Sequence, residues 1–247
     1  MLDKVTSQFN KVVVILDTGN LMDVSFMDRY GDKISALVLG FHGGMETGAG
    51  LADVLYGNVN PSGRLTNTIA LNYEDYPSAP TFGGEKFNNY AEDIYVGYRY
   101  FDTFDVEPLY PFGYGKSYTD FEVSVLDIAV KSGIVSIDVQ VKNIGDKYAG
   151  KEVVQVYYNP AQVKISKPVR NLIEFGKTKL LEPGESEVLE FVINIADMAS
   201  FDDGGYTGHK NCYVLEAGEY EIYAGNSVRT AVKAGGFSLA DTVVVKE

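Results

Sequence analysis

The sequence predicts a two-part α+β chain. A partial α/β unit with parallel strands occupies residues 1–72, an aromatic-rich connection residues 73–118, and an antiparallel β-sandwich residues 119–247. Three observations carry this reading. Two short continuous apolar runs near the N-terminus are each followed by a turn and a helical stretch. From Phe121 onward the hydrophobic period becomes two. Between these regions lies a segment crowded with Tyr, Phe, Pro and Gly that has no clear period.

The first apolar run is Lys11-Val12-Val13-Val14-Ile15-Leu16, closed by the turn cluster Asp17-Thr18-Gly19-Asn20. The second is Ile34 to Leu39, closed by Gly40. Continuous runs of this length suit strands covered on both faces, as in a parallel sheet. Residues 22–30 are long enough for a short helix between them. Glu46 to Tyr56 is a second helix, with Ala49, Ala52 and Tyr56 at helical spacing and Gly57 as its stop. After the turn Asn60-Pro61-Ser62-Gly63 comes Arg64 to Ile69. Two strands and two helices cannot close a core alone, so this half is expected to be a piece of a larger sheet.

Residues 73–118 are expected to form a long ordered excursion. So many aromatic rings gain area only when packed, and a long stretch without periodic structure normally has a function or drapes over another domain. In the last part, Val135, Ile137, Val139 and Val141 alternate with polar residues. Leu189, Phe191, Ile193 and Ile195 do the same, as do Tyr220, Ile222 and Ala224; Glu152 to Tyr158 is a further strand. Turn signals stand at Asn143-Ile144-Gly145-Asp146, Glu182-Pro183-Gly184-Glu185 and Ala217-Gly218. The apolar frame slips between Val125 and Leu126, which predicts a bulge. About seven short strands indicate a sandwich. The Cys–Trp core of antibody domains is absent, which leaves the fibronectin type III style.

The 247 residues are 45% apolar and 22% charged, an ordinary globular composition. With 21 basic against 34 acidic residues the formal net charge is −13. Nucleic acid and anionic membrane are poor partners for such a surface, because both need a basic face. No apolar run approaches the roughly 20 residues of a spanning helix. No signal-peptide core stands at the N-terminus, and this favours the cytoplasm. Cys212 is the single cysteine, and His42 and His209 are the only histidines. Neither a disulfide nor a multi-histidine metal site is expected, and no cofactor is implied.

Asp17 and His42 stand just beyond the carboxyl ends of the two apolar strands, where open α/β sheets bind ligands. With Glu46 they are the candidate cleft-facing residues. Each also has a plain structural role available: Asp17 in its own turn, His42 as a loop residue, and Glu46 at the positive end of its helix. The Gly-rich stretch Gly40 to Gly50 follows a strand and opens a helix, but its spacing fits neither phosphate-loop fingerprint. Glu92 and Asp93 are adjacent on an extended segment and point apart, so they form no acid/base pair. Lys164, Lys167 and Arg170 form a mild basic cluster expected to be solvated. No Ser-His-Asp set can be assembled.

Five stretches in register carry a resemblance. Gly50-Leu51-Ala52-Asp53-Val54-Leu55-Tyr56-Gly57 through Asn60-Pro61-Ser62-Gly63-Arg64-Leu65 resembles the signature late in the α/β sandwich domain of glycoside hydrolase family 3. Glu92-Asp93-Ile94-Tyr95-Val96-Gly97-Tyr98-Arg99-Tyr100-Phe101-Asp102 resembles its interdomain connection. Tyr110 to Thr119 resembles the start of its fibronectin type III-like domain, and Ala149 to Tyr157 and Lys179 to Ser186 resemble strands of that domain. Lys116, Asp93 and Thr66 depart from the usual Leu, Gly and Pro. Thr66 and the tail from Phe237 to Glu247 are similar to the clostridial and rumen-type members, in which the catalytic barrel follows the sandwich.

The resemblance implies a β-glucosidase-like parent with the retaining template. One carboxylate attacks the anomeric carbon and a second, about 5–5.5 Å away, protonates the leaving oxygen. In the family the nucleophilic Asp comes from a barrel of about 250 residues, for which this chain has no room. The acid/base Glu lies upstream of the strand matching Val12–Leu16, and no Glu stands among the eleven residues before Val12. No catalytic residue is therefore assigned, and the expected partners are the missing barrel and a β-glucoside. Arg64, Tyr98, Arg99 and Tyr100 are the expected interdomain anchors, since a buried guanidinium can tie several loop carbonyls together. The rival reading is a free-standing carbohydrate-binding or protein-interaction module that stacks exposed aromatics on sugar faces.

Overall fold

The computed structural model describes residues 1–84 and 86–246; Glu247, the last residue of the expected tail, lies outside the described residues. Helix α1 (Leu2–Gln8) leads into strand β1 (Val13–Leu16). Helix α2 (Phe26–Tyr30) and a 3-10 turn (Gly31–Lys33) lead into β2 (Ala36–Leu39). Strands β1 and β2 pair in parallel, from Val13 opposite Ala36 to Leu16 opposite Leu39. Helix α3 (Thr47–Tyr56) follows, and Gly57 ends it with φ of 75°, a left-handed position that glycine adopts without a Cβ clash. The helix expected within 22–30 is only five residues long, because Leu21–Val24 take no regular structure and the chain turns only at Ser25.

This half has a small core. Val12, Tyr30 and Ile34 are buried, with Leu2, Val5, Phe26 and Met27 packed against them. The Tyr30 hydroxyl donates to Asp3 at 2.7 Å and so pins α1 to α2. These contacts cover one flank of the two strands. Val13 and Ile15 remain 44% and 39% exposed. Parallel strands normally carry cover on both faces, so a two-stranded parallel sheet with apolar residues in solvent is an open structure.

The connection then crosses the molecule. Strand β3 (Ile69–Ala70) pairs antiparallel with β4 (Pro108–Tyr110), and helix α4 (Tyr98–Thr103) lies between them in sequence. The sandwich comprises β5 (Phe121–Lys131), β6 (Ile134–Asn143), β7 (Val153–Asn159), β8 (Asn171–Lys177) and β9 (Ser186–Asn194). These are followed by β10 (Ser200–Asp202), β11 (Cys212–Leu215), β12 (Gly218–Gly225), β13 (Val232–Leu239) and β14 (Val243–Lys246). One sheet has the order β5-β6-β9 and the facing sheet β13-β12-β7-β8; a side sheet of order β10-β11-β14 is appended. Seven strands thus form the two facing layers, antiparallel throughout.

The alternating pattern explains this core directly. Val135, Ile137, Val139 and Val141 of β6 face Val154 and Val156 of β7 and Tyr220, Ile222 and Ala224 of β12 in one buried cluster. The frame slip at Val125–Leu126 is a register shift of β5 against β6, and it leaves Leu126 exposed. Ile195, expected as the last strand residue, instead opens a 3-10 turn that Asn194 caps by accepting from Ala196 N at 3.0 Å.

The basic cluster requires a correction. Lys164 is exposed, but Lys167 is buried and forms an ion pair with Glu216, itself almost fully buried. Glu216 also accepts from the backbone N–H groups of Lys164 and Ile165, at 2.9 and 3.1 Å. A carboxylate 49 residues away in sequence therefore draws Lys167 inward. Arg170 lies over the Tyr223 ring, 3.5 Å from its centroid.

The contrast between the closed sandwich and the open parallel pair predicts a gradient of local stability. In native-state hydrogen exchange, the amides of Val135–Val141 and Leu189–Ile193 exchange at the slow, global limit, and those of Val13–Leu16 exchange by faster local opening. Equal protection in the two regions contradicts this.

Candidate functional site

Two places in the fold collect the residues the sequence singles out. The first is the loop pair at the carboxyl ends of β1 and β2. Asp17 directly follows β1, and Phe41 and His42 follow Gly40 at the end of β2. The loops touch: a Cβ on Gly19 would stand 2.5 Å from His42 Nε2, so the imidazole lies against the Gly19 backbone. Phe41 holds φ of 51°, a left-handed conformation that costs a bulky residue energy. Glu46 is the residue just before α3. Asp17, His42 and Glu46 are all exposed, and among the described residues none of their side chains makes a hydrogen bond. The fold brings Asp17 and His42 to one edge but builds no acid/base pair from them.

The second place is the seam between the two halves, and here the geometry is dense. Arg64 donates from Nε to Glu152 Oε1 at 3.1 Å, from Nη2 to Glu152 Oε2, and from Nη1 to the Gly115 carbonyl at 2.6 Å. Its side chain is 13% exposed and that of Glu152 only 2%. Glu152 also accepts from Val153 N at 2.6 Å and from Asn226 Nδ2 at 3.2 Å. Both carboxylate oxygens are thus fully engaged. A Cβ on Gly115 would meet the Gly63 carbonyl at 2.6 Å, so only glycine lets the two chains approach.

Asn60 reinforces the seam. Its Nδ2 donates to the Ala149 carbonyl at 3.0 Å, and its Oδ1 accepts from Ser117 Oγ at 3.0 Å and from Tyr118 N at 2.8 Å. Tyr118 in turn donates its hydroxyl to the Val54 carbonyl at 2.7 Å. Leu65 N donates to the Tyr114 carbonyl and Gly113 N to the Leu65 carbonyl, both at 2.8 Å.

Helix α4 is fastened to the sandwich separately. The Tyr98 ring packs against Phe112 and, edge-on, against the buried Tyr157, with centroids 4.7 and 5.9 Å away. Its hydroxyl accepts from Leu172 N at 2.9 Å, and Thr103 Oγ1 accepts from Val169 N at 3.1 Å. Tyr100 packs on Phe101 and Phe104 within the connection itself. Arg99 makes no side-chain hydrogen bond among the described residues. The role of tying loop carbonyls falls to Arg229, which the sequence did not single out. It donates to the Val106 carbonyl at 2.9 Å and pairs with Asp102 at 3.0 Å and Glu107 at 3.6 Å. The second Asp102 oxygen is buried without a partner among the described residues, and burial raises this carboxyl above its usual range despite Arg229 and Arg170. Glu152, too, was legible only as an acidic residue opening an apolar strand.

Comparison with known proteins gives these two halves a context. Residues 1–118 match the Glycosyl hydrolase family 3 C-terminal domain, and residues 152–228 match the Fibronectin type III-like domain. A beta-glucosidase of Ruminococcus albus is 45% identical over the whole chain, which spans 26% of that protein. Beta-glucosidase A of Butyrivibrio fibrisolvens is 39% identical, again over the whole chain, which covers 32% of it. Among solved structures, a beta-glucosidase from Paenibacillus barengoltzii superposes over the whole chain with a TM-score of 0.95 and 45% identity, and the chain covers 28% of it. The chain therefore spans between a quarter and a third of the length of these relatives.

Removing one member of the seam ion pair leaves a buried charge uncompensated. Arg64→Met is expected to lower the unfolding free energy by about 3–5 kcal/mol, as for a broken buried pair. The double variant Arg64→Met with Glu152→Leu should lose less than that; urea denaturation of both checks it. A second expectation concerns acid. Glu221 accepts from Lys233, Tyr223 and Asn159, which depresses its carboxyl from 4.5 to about 2. A depressed folded-state value means stability present above the unfolded value and lost as pH falls through about 2. Between pH 4.5 and 2 the Glu221→Gln variant should therefore show a shallower fall in urea midpoint than the parent chain.

Proposed function

Because the chain belongs to glycoside hydrolase family 3, carrying its C-terminal domain and a fibronectin type III-like domain, we propose that it serves as the non-barrel portion of a β-glucosidase-like enzyme. Its task in that enzyme is to complete and brace an active site whose reacting carboxylates come from other residues. The substrate class is a β-glucoside, cleaved at the O-glycosyl bond by the retaining route.

The observation that carries this reading is the division between closed and open surfaces. The seam and the sandwich core are satisfied by the chain's own residues. The parallel pair and the outer side of the connection are not: Phe82, Phe87 and Tyr90 are 77%, 79% and 85% exposed, and Val96 and Phe104 lie more than half in solvent. Burying one such side chain stabilises an association by about 1.5–3 kcal/mol, so several together favour a partner. The occupant we assign to the outer side of residues 73–118 is the catalytic barrel, and the remaining strands of the α/β domain are assigned to the free flank of β1 and β2. The length by which the relatives exceed this chain supports that assignment.

Asp17 and Glu46 stand in exposed loops, and among the described residues no second carboxylate is set against them in a buried cleft. This supports a bracing role for those loops. Asp17, His42 and Glu46 are proposed to face the cleft of the assembled enzyme, and Arg64 and Tyr98 to hold the connection in place for docking.

On this account the chain alone releases no nitrophenol from aryl β-glucosides above background. The same residues, joined in one polypeptide to a family barrel and the preceding part of the α/β domain, support turnover. Turnover by the isolated chain that disappears in Asp17→Asn or Glu46→Gln overturns the reading.

A further inference from the structure

A cavity of about 300 Å³ opens between the connection and the segment after Arg64. Its polar lining comes from Thr66, Asn67, Thr68, Ser78, Glu92 and Tyr98, and its aromatic walls from Tyr76 and Phe112; the buried Thr68 hydroxyl has no partner among the described residues. Several of these polar groups have capacity to spare. Glu92 is half-buried, and among the described residues its carboxylate makes neither an ion pair nor a hydrogen bond. The Asn67 side-chain oxygen accepts from Thr66 at 3.1 Å, but its amide N–H groups donate to no described residue. The Tyr98 hydroxyl accepts from Leu172 N and keeps its own proton to give. Ser78 uses its backbone carbonyl for Thr81 and leaves its hydroxyl without a described partner.

We propose that this cavity binds a neutral polyhydroxyl ring compound, a pyranose or its simple glycoside. Three features select that class. The volume stands at the small end of ligand sites, suited to one ring. The free groups mix one strong acceptor with four neutral donors, on Asn67, Thr68, Ser78 and Tyr98, which fits vicinal hydroxyls that give and take hydrogen bonds. A lone cation would need more acceptors than the single carboxylate supplies. The rings of Tyr76 and Phe112 offer apolar faces for the C–H side of a sugar. An aromatic wall beside a carboxylate and an amide is the usual composition of a site that must orient a polar ligand while excluding water.

The cavity is built wholly from this chain, so binding is measured on the chain as it stands, and its failure leaves the bracing role untouched. Saturation-transfer NMR with methyl β-D-glucopyranoside is the direct assay, with N-acetyl-lysine methylamide as a cationic comparison probe. Saturable binding of the glucoside is expected, weakened about tenfold in Glu92→Gln, the loss of one charged hydrogen bond. Val96→Phe, which fills the mouth from an exposed position, is expected to abolish it while the slow amides of β6 keep their exchange rates. Absence of saturable glucoside binding, binding unchanged in both variants, or binding of the lysine probe in preference to the glucoside overturns the proposal; the last outcome assigns the cavity to a basic side chain of a neighbouring polypeptide segment.

Discussion

The Arg64–Glu152 ion pair is the constraint on which the rest of the arrangement depends. It joins residues 88 positions apart, across a seam where the α/β half and the sandwich meet closely. Its energetics follow from burial. Two charges removed from water are tolerated only with excellent geometry and complete hydrogen bonding. Both conditions hold: the guanidinium meets the carboxylate in a two-point contact, and the remaining lone pairs are taken by Val153 N and Asn226. The value of such a pair lies in orientation as much as in stability. A slip of the seam by one residue would strand a carboxylate that is 98% buried, so the two halves have one register. The Gly115 carbonyl and the Asn60 side chain then lock the same relation from either side.

That fixed seam organises what lies around it. Helix α4 is carried to the outer face of β7 and β8, where Tyr98 and Thr103 take backbone donors that the sheet leaves free. Arg229 closes the end of the helix. The connection can therefore be long and poor in regular structure without being loose: its rings are anchored at 98–112, and its more exposed rings at 82–90 are held out on the far side. A segment anchored on one side and apolar on the other suits a gasket between two bodies. The sandwich supplies rigidity, and the α/β half carries the exposed loops that follow β1 and β2.

Much of this was legible in the sequence, and the reasons are physical. Period-two alternation reports the strands of a half-buried sheet, so β6, β9 and β12 and even the bulge in β5 could be placed from residue types. The parallel pair was visible as two continuous apolar runs. The short helix at 98–103 and the side sheet of β10, β11 and β14 have no such signature, since tertiary contacts impose them. Charged residues misled in both directions. Lys167 reads as solvated in its local context and is drawn inward by Glu216, 49 residues away. Arg229 and Glu152 carry long-range pairs that no local spacing announces. Arg64 was the exception, because it follows a turn in a recognisable motif. The candidate residues Asp17 and His42 do stand just beyond the ends of β1 and β2, but among the described residues their side chains make no hydrogen bond.

The central claim is that the seam is complete in itself while the outer faces await another body. Hydrogen exchange of the chain, measured alone and again within a polypeptide that also carries the family barrel and the preceding α/β segment, tests it most directly. The account predicts new protection at residues 13–16 and 86–96 and none at 60–65, 113–118 and 152–154. Unchanged exchange at the outer faces, or new protection concentrated at the seam, contradicts it.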